Sequence, residues 1–257
     1  MTLRTIMELQ FVKPTEEFMN TVKFEKGQVA VVAHRGLSGI EKENTIAAFV
    51  AAGNRSYFGI ETDIYRTADG HFVISHDRNL DGLAGVDMDV ENTTLAEIQK
   101  VVLYDTDGAT KRIDLHPCTL EDYVRICKKY DKQCVLELKS AFTLEETEKF
   151  ISIINEIGYL DRVTFISFNY DNLLKVRQIL PSHHVQYLFC EATDELVERA
   201  VMSKMDIDVE YTSITPEVVK RVHDAGLKVN CWTVNDKSAA EVLAAMGVDY
   251  ITTNILE

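Results

Sequence analysis

The chain has 257 residues, of which 46% are hydrophobic and 26% are charged, and its formal net charge is −14. This composition supplies a large core and excludes a disordered chain, while the acidic charge argues against a nucleic-acid backbone as partner. The length suits one (β/α)8 barrel, although two small domains would also fit.

Three features predict where the chain resides. The N-terminal segment carries Glu8, Glu16 and Glu17, where a signal peptide would need an unbroken apolar stretch. No run approaches the roughly 18 apolar residues of a membrane span. The 5 cysteines are widely spaced and form no Cys-x-x-Cys pair, which is typical of reduced thiols. We therefore expect a cytoplasmic protein with no stable membrane association.

Short runs rich in β-branched and aromatic residues predict strands along the whole chain. Their apolar content is nearly continuous, as in parallel strands that are covered on both faces. The predicted strands span 29–34, 57–67, 133–139, 163–168, 185–190, 207–212, 228–234 and 248–253.

Longer amphipathic segments between these strands predict helices, and several carry start signals. Asn44 and Thr45 precede the first helix, Thr119 opens the second, and Thr143 with Glu146 forms a capping box. The predicted helices span 46–53, 119–130, 143–158, 171–180, 193–204, 215–226 and 237–247.

Strict alternation of strand and helix predicts an α/β fold, a (β/α)8 TIM barrel. The alternative, a doubly wound sheet, would usually carry a Gly-x-Gly-x-x-Gly loop after its first strand, and the segment 34–39 reads HRGLSG. We expect one domain over 1–257, with residues 5–23 covering the barrel floor.

Residues 68–118 depart from the regular alternation. The chain turns at Ala68-Asp69-Gly70, returns through HFVISHD and then crosses a Gly- and Asp-rich stretch before the next helix. We predict a small hairpin followed by an inserted excursion after the second strand. If Asp69-Gly70 is a two-residue turn, Asp63 faces His76 across the hairpin. A slip of one residue would turn His76 to the other face.

Ionisable residues end the early strands, where the active sites of such barrels lie. The candidates are His34, Arg35, Glu61, Asp63, His76, Glu137 and Lys139. Three carboxylates suit Mg²⁺ or Ca²⁺, two histidines suit a general acid and base, and Arg with Lys suits a phosphate oxygen. Together they predict metal-assisted phosphoryl chemistry. Trp232 and Phe168 are candidates for a substrate-binding wall, with core packing as the alternative.

Six motifs in register resemble the glycerophosphodiester phosphodiesterase family. They are HRG at 34–36, ENT at 43–45, Glu-x-Asp at 61–63, HD at 76–77, ELK at 137–139 and CWTVND at 231–236. The resemblance implies a TIM barrel with a segment inserted after the HD motif, and cleavage of glycerophosphodiesters to glycerol 3-phosphate and an alcohol.

The resemblance also implies a role for each site residue. Glu61, Asp63 and Glu137 would bind one divalent metal ion, Arg35 and Lys139 would contact the phosphate, and His34 and His76 would be the acid/base pair. It further implies the glycerol 2-hydroxyl as nucleophile, which gives a cyclic phosphate that water opens. The chain departs from the family pattern at Lys42, where Pro is frequent, and at Asn254, where Asp is more usual.

Other interpretations of the same residues stay open at this point. Glu61 and Asp63 could form ion pairs with Arg66 or Arg78, and Asn44 could serve only as a helix N-cap. The competing functions are a phospholipase acting on lysolipids, a non-catalytic barrel that binds phosphorylated metabolites, and a metal-dependent aldolase or isomerase. The sequence predicts neither the alcohol group nor the oligomeric state.

Overall fold

The structure, a computed structural model, describes residues 20–257 and contains a sheet of nine strands. Eight of them run parallel and close into a barrel, because the first strand pairs with both the second and the last. The predicted (β/α)8 barrel is therefore confirmed. The parallel strands are β1 (Ala30–Ala33), β2 (Gly59–Arg66), β4 (Gln133–Leu138), β5 (Val163–Ser167), β6 (Val185–Phe189), β7 (Asp206–Glu210), β8 (Val229–Trp232) and β9 (Tyr250–Thr253).

The predicted helices lie between these strands and cover the barrel. They are α1 (Ile46–Gly53), α4 (Leu120–Tyr130), α5 (Leu144–Ile157), α6 (Tyr170–Ile179), α7 (Asp194–Met202), α8 (Pro216–Asp224) and α9 (Lys237–Met246). The predicted capping box is present at Thr143 and Glu146, which satisfy each other's backbone N–H groups. Thr45 caps α1, whereas Asn44 adopts a left-handed φ of 56° and is released for another contact.

Alternate strand residues divide the barrel into two apolar regions. Outward-facing side chains pack against the helices, as Phe165 of β5 does against Phe150 of α5, with ring centroids 5.6 Å apart. Inside the barrel a smaller cluster consists of Val32, Val135, Ile166 and Leu188, with Trp232 packed against it. This cluster fills the centre of the barrel and forms the apolar base of the opening above it.

The predicted hairpin is present, but its predicted register is wrong by one residue. The antiparallel strand β3 (Phe72–Ile74) pairs Ile74 with Ile64, and the carbonyl of Asp63 accepts from the N–H of Ser75. Ser75, and not His76, is therefore opposite Asp63.

The difference of one residue in the register arises in the turn, which has three residues where two were predicted. The N–H of Thr67 donates to the carbonyl of His71, and Gly70 takes the left-handed φ of 74° that closes such a loop. Because β3 ends at Ile74 and the chain bends at once, strand alternation does not determine where His76 points.

The inserted excursion packs onto the hairpin through a hydrophobic cluster of its own. It contains two short helices, α2 (Asp81–Ala84) and α3 (Leu95–Ile98). Val73 of β3 belongs to the same cluster as Leu80, Val90 and Ile98, so the excursion is anchored to the barrel through β3. Of the segment 5–23 expected on the barrel floor, residues up to 19 lie outside the described part, and Val22 forms a bridge with Leu256.

Candidate active site

A pocket of about 520 Å³, including its open mouth, lies at the carboxyl end of the barrel strands. Seven predicted site residues line it: His34, Arg35, Glu61, His76, Glu137, Phe168 and Trp232. Asp63 and Lys139 lie directly beside them, because the Lys139 Nζ atom is 3.0 Å from Glu137 and 3.7 Å from Asp63. The structure thus brings together all the candidates named from the sequence.

Three buried carboxylates converge on one point beside this pocket. Glu61 and Asp63 share a face of β2, and Asp63 is the register partner of Glu137 on the adjacent strand β4. Each of the three offers an oxygen within 4.8 Å of those of the others. Parallel pairing thus places three acidic groups, far apart in sequence, at the same height on the barrel wall.

The electrostatics of these carboxylates suit the binding of a cation. Burial, followed by the charge of Asp63, raises the pKa of Glu61 well above its usual range and that of Glu137 to about 8. Against burial, Arg35 and Lys139 lower the pKa of Asp63, whose Oδ1 atom has no hydrogen-bond partner within residues 20–257. A divalent cation would offset the repulsion between the three carboxylates and could bind the Oδ1 atom of Asp63. Donor sets made only of oxygen atoms suit Mg²⁺ and Ca²⁺.

Arg35 and Lys139 put positive charge on either side of the carboxylates. The backbone N–H of Arg35, at a left-handed φ of 53°, donates to Glu61 over 2.8 Å. Its guanidinium lies 3.0 Å from Glu43 and 3.7 Å from Asp63. Both cations line or border the pocket, where an anionic group could meet their remaining donors.

The two histidines differ in environment. The Nδ1 atom of His34 lies 2.7 Å from the Oδ1 atom of Asn254, which also accepts from the Ser38 hydroxyl over 3.0 Å. Burial, followed by the charge of Arg35, lowers the pKa of His34 to about 4. An oxygen acceptor at Nδ1 places the proton there and leaves Nε2 unprotonated, 4.0 Å from Glu61.

His76 is the more accessible of the pair. Its side chain is 32% exposed, and its Nδ1 atom lies 2.8 Å from the Oδ1 atom of Asp77. The adjacent carboxylate orients the ring and favours a proton on Nδ1. A neutral, buried imidazole and a carboxylate-supported imidazole thus border the same pocket.

The opposite side of the pocket is apolar. Phe168 and Trp232 meet edge to face with ring centroids 5.7 Å apart, above Ile166 and Leu188. Phe168 is 43% exposed and stands at the open mouth. The pocket therefore combines a charged wall with an aromatic one, which suits a ligand with one anionic and one carbon-rich part.

Several residues that contact the site were not assigned to it from the sequence. The side-chain amide of Asn44 donates to Asp63 over 2.8 Å and is itself fixed by the Thr62 hydroxyl over 2.7 Å. The ENT motif was the sequence signal that could have assigned Asn44 to the site. Because Thr45 is the N-cap of α1, the side chain of Asn44 is available to bind Asp63. Asp208 of β7 also lines the pocket, and only its inward alternation along the strand could have indicated it.

The ion pairs of the nearby arginines remove one alternative interpretation. Arg66 pairs with Glu91 and Glu146, and Arg78 pairs with Asp89 and Glu91. In the part of the chain that the structure describes, neither arginine is paired with Glu61 or Asp63. The acidic pair therefore belongs to the pocket and not to a salt-bridge network with these arginines.

Among residues 20–257, no helix combines the length and hydrophobicity needed to cross a membrane.

Comparisons with known proteins agree with this geometry. A glycerophosphodiester phosphodiesterase of Caldanaerobacter subterraneus subsp. tengcongensis is 33% identical over 230 residues, which cover 87% of this chain and 93% of the relative. A glycerophosphodiester phosphodiesterase of Bacillus subtilis is 28% identical, with 88% of this chain and 84% of the relative covered.

Solved structures show the same architecture. An Oleispira antarctica phosphodiesterase in complex with the product sn-glycerol-3-phosphate superposes with a TM-score of 0.80 at 25% identity, covering 88% of this chain and 92% of the other. A glycerophosphodiester phosphodiesterase of Thermotoga maritima gives 0.73 at 26% identity, with 88% and 94% covered. The model of the glycerophosphoryl diester phosphodiesterase family matches residues 34–257, a span that contains every candidate residue and all the barrel strands except β1, and the chain belongs to that family.

Proposed function

We propose that the chain hydrolyses glycerophosphodiesters to glycerol 3-phosphate and an alcohol. The observation that carries this proposal is the convergence of three carboxylates, two histidines and two cations on one pocket. Family membership supports the substrate class, and the related Oleispira antarctica structure holds sn-glycerol-3-phosphate. The aromatic wall would hold the carbon-rich part of the substrate through Phe168 and Trp232.

Glu61, Asp63 and Glu137 would hold one divalent cation, either Mg²⁺ or Ca²⁺. When bound, the cation supplies Lewis-acid stabilisation of the negative charge that develops on the phosphoryl oxygens. Asn44 keeps Asp63 oriented through its 2.8 Å hydrogen bond. Arg35 and Lys139 would donate to the phosphate oxygens and hold the diester across the carboxylate cluster.

His34 and His76 would move the protons. With Nδ1 held by Asn254, the Nε2 atom of His34 would take the proton from the attacking hydroxyl. His76, whose Nδ1 atom is held by Asp77, would give the proton on its Nε2 atom to the leaving oxygen. We propose the glycerol 2-hydroxyl as that nucleophile, so that a cyclic phosphate forms and water then opens it with the histidine roles reversed.

The proposal is tested by a coupled glycerol 3-phosphate assay over a panel of glycerophosphodiesters. Turnover of glycerophosphocholine that stops with EDTA and returns with Mg²⁺ or Ca²⁺ is the expected result. Product release that is unchanged by chelator would contradict the cation site. Preference for lysophosphatidylcholine would identify a phospholipase, and tight binding without product would identify a non-catalytic barrel.

We further propose that residues 1–257 form one domain that acts in the cytoplasm on small-molecule substrates. All five cysteines are free, which suits a reducing compartment. Limited proteolysis tests the first part and cell fractionation the second: a stable fragment shorter than the barrel, or recovery with membranes, would contradict them.

A further inference from the structure

Asp208 is a buried acid that the proposed mechanism does not use. It lies on β7, lines the pocket and is 2% exposed. Its register partner on β8 is Asn230, whose amide donates to Gln186 over 3.2 Å. The Oδ1 atom of Asp208 has no hydrogen-bond partner anywhere in the described chain. A buried polar atom without a partner costs stability, so its presence requires an explanation.

The position of Asp208 separates it from the cation site. The acidic cluster with mutually close ligand oxygens consists of Glu61, Asp63 and Glu137, and Asp208 is not part of it. Asp208 instead shares the closed end of the pocket with Ile166, Leu188 and Thr252. These three neighbours are themselves almost fully buried. Asp208 therefore lies among buried and mostly apolar residues that line the pocket, and its Oδ1 atom has no hydrogen-bond partner in the described chain.

The shape of the pocket indicates which part of a diester reaches this end. The alcohol of a glycerophosphodiester varies in size, so it needs the open mouth, where Phe168 is 43% exposed and His76 is 32% exposed. The glycerol group is the same in every such substrate and fits a closed space. Its terminal hydroxyl would be free to bind there, because the 2-hydroxyl is needed beside the histidines.

We propose that Asp208 is a specificity-determining residue that hydrogen-bonds the terminal hydroxyl of the substrate's glycerol group. This inference rests on the proposed function and deepens it. Burial, followed by the charge of Glu137, raises the pKa of Asp208 well above its usual range, which favours the neutral carboxylic acid over the carboxylate. Such an acid can donate to the hydroxyl and also accept from it.

The test compares two diesters with the same leaving group. Glyceryl 4-nitrophenyl phosphate carries both hydroxyls, and 2-hydroxypropyl 4-nitrophenyl phosphate lacks only the terminal one. With Mg²⁺ present, the wild-type chain should prefer the glyceryl diester in kcat/KM by about 10- to 100-fold, the effect of one buried hydrogen bond. Asp208→Leu should abolish that preference, while kcat/KM for the hydroxypropyl diester changes less than about threefold.

Two further variants distinguish a loss of substrate specificity from a loss of folding. Asp208→Asn keeps the size of the side chain but removes the acid O–H, and it should reduce the preference by about threefold or more. Asp206→Asn is the matched control, because Asp206 lies on the same strand outside the pocket and accepts from the N–H of Lys228. It should leave the preference unchanged. The melting temperature of Asp208→Leu should rise, since a buried unpaired oxygen is removed.

Each other outcome overturns the inference. Equal losses on both diesters with a lower melting temperature would make Asp208 a structural residue and leave the proposed function standing. An unchanged preference in the Leu and Asn variants would remove its role in specificity. If the wild-type chain hydrolyses neither diester, the proposed function fails and the inference fails with it.

Discussion

Asn254 shows how one amide can determine which nitrogen of a histidine is available. Its Oδ1 atom lies 2.7 Å from the Nδ1 atom of His34, so the proton sits on Nδ1 and the other nitrogen is free. An aspartate at this position would also favour the charged imidazolium. Burial, followed by the charge of Arg35, keeps His34 neutral by lowering its pKa to about 4, although the hydrogen bond to Asn254 acts in the opposite direction.

At the same scale, the two histidines should each be needed for turnover. His34→Ala and His76→Ala are expected to lower kcat by about 10²–10⁴, the usual contribution of a general acid or base. Circular dichroism should show an intact fold in both. His223→Ala is the control. His223 lies on α8, outside the pocket, and its side chain pairs with Asp249. Near-wild-type activity in either active-site variant would refute its assignment.

Helix α5 is stabilised by a capping box that is visible in the sequence. Thr143 accepts from the N–H of Glu146, and the Glu146 carboxylate accepts from the N–H of Thr143 over 2.8 Å. Glu146 also pairs with Arg66 at the end of β2. The capping box thus fixes both the start of the helix and its attachment to the barrel.

Loss of this cap should destabilise the protein without affecting catalysis. Thr143→Ala is expected to lower the free energy of unfolding by about 1 kcal/mol, the typical cost of removing an N-cap. Urea denaturation followed by circular dichroism measures the change. Thr143→Ser keeps the hydroxyl and should recover most of the loss. A full effect in the serine variant would show that packing of the methyl group, and not capping, is responsible.

At the scale of the whole molecule, the carboxylate cluster should link cation binding to stability. Excess Mg²⁺ or Ca²⁺ is expected to raise the melting temperature, since a ligand at about 100 times its Kd adds about 2.7 kcal/mol. Glu137→Gln should abolish this rise and turnover together, while Glu198→Gln on an exposed helix face should retain both. Equal cation stabilisation of the Glu137 variant and the wild-type chain would place the ion elsewhere.

Glu257 joins distant parts of the chain and should make stability depend on pH. Its carboxylate accepts from the N–H and hydroxyl of Ser56 and from Thr21, and pairs with Lys23. Burial acts to raise its pKa, but these hydrogen bonds outweigh burial and lower the pKa from 4.5 to about 2. The stabilisation is therefore fully present above pH 4.5 and is lost as the pH falls towards 2.

Glu257→Gln should destabilise the protein by about 1–3 kcal/mol at neutral pH, the range for hydrogen bonds to a charged group. The difference from the wild-type chain should shrink between pH 4.5 and 2. Thermal unfolding over that range measures it, with Glu198→Gln as the control. A difference that is constant with pH would show that ionisation of Glu257 does not contribute.

Local patterns in the sequence were sufficient for the barrel and for most of the site. Apolar runs predicted the parallel strands, and the two-residue spacing of Glu61 and Asp63 put them on one face of a strand. These properties depend on neighbours along the chain, which is why a single sequence reveals them. The family motifs then named the histidines and the basic residues.

Contacts between distant segments were decided only by the tertiary structure. A three-residue loop moved Ser75 opposite Asp63, and His76 reached the pocket because β3 ends before it. The hydrogen bond from Asn44 to Asp63 and the free oxygen of Asp208 depend on how strands are registered and what lies across the barrel. Strand register and side-chain packing depend on many weak contacts between residues that are far apart in sequence. The local periodicity of the sequence therefore does not predict them.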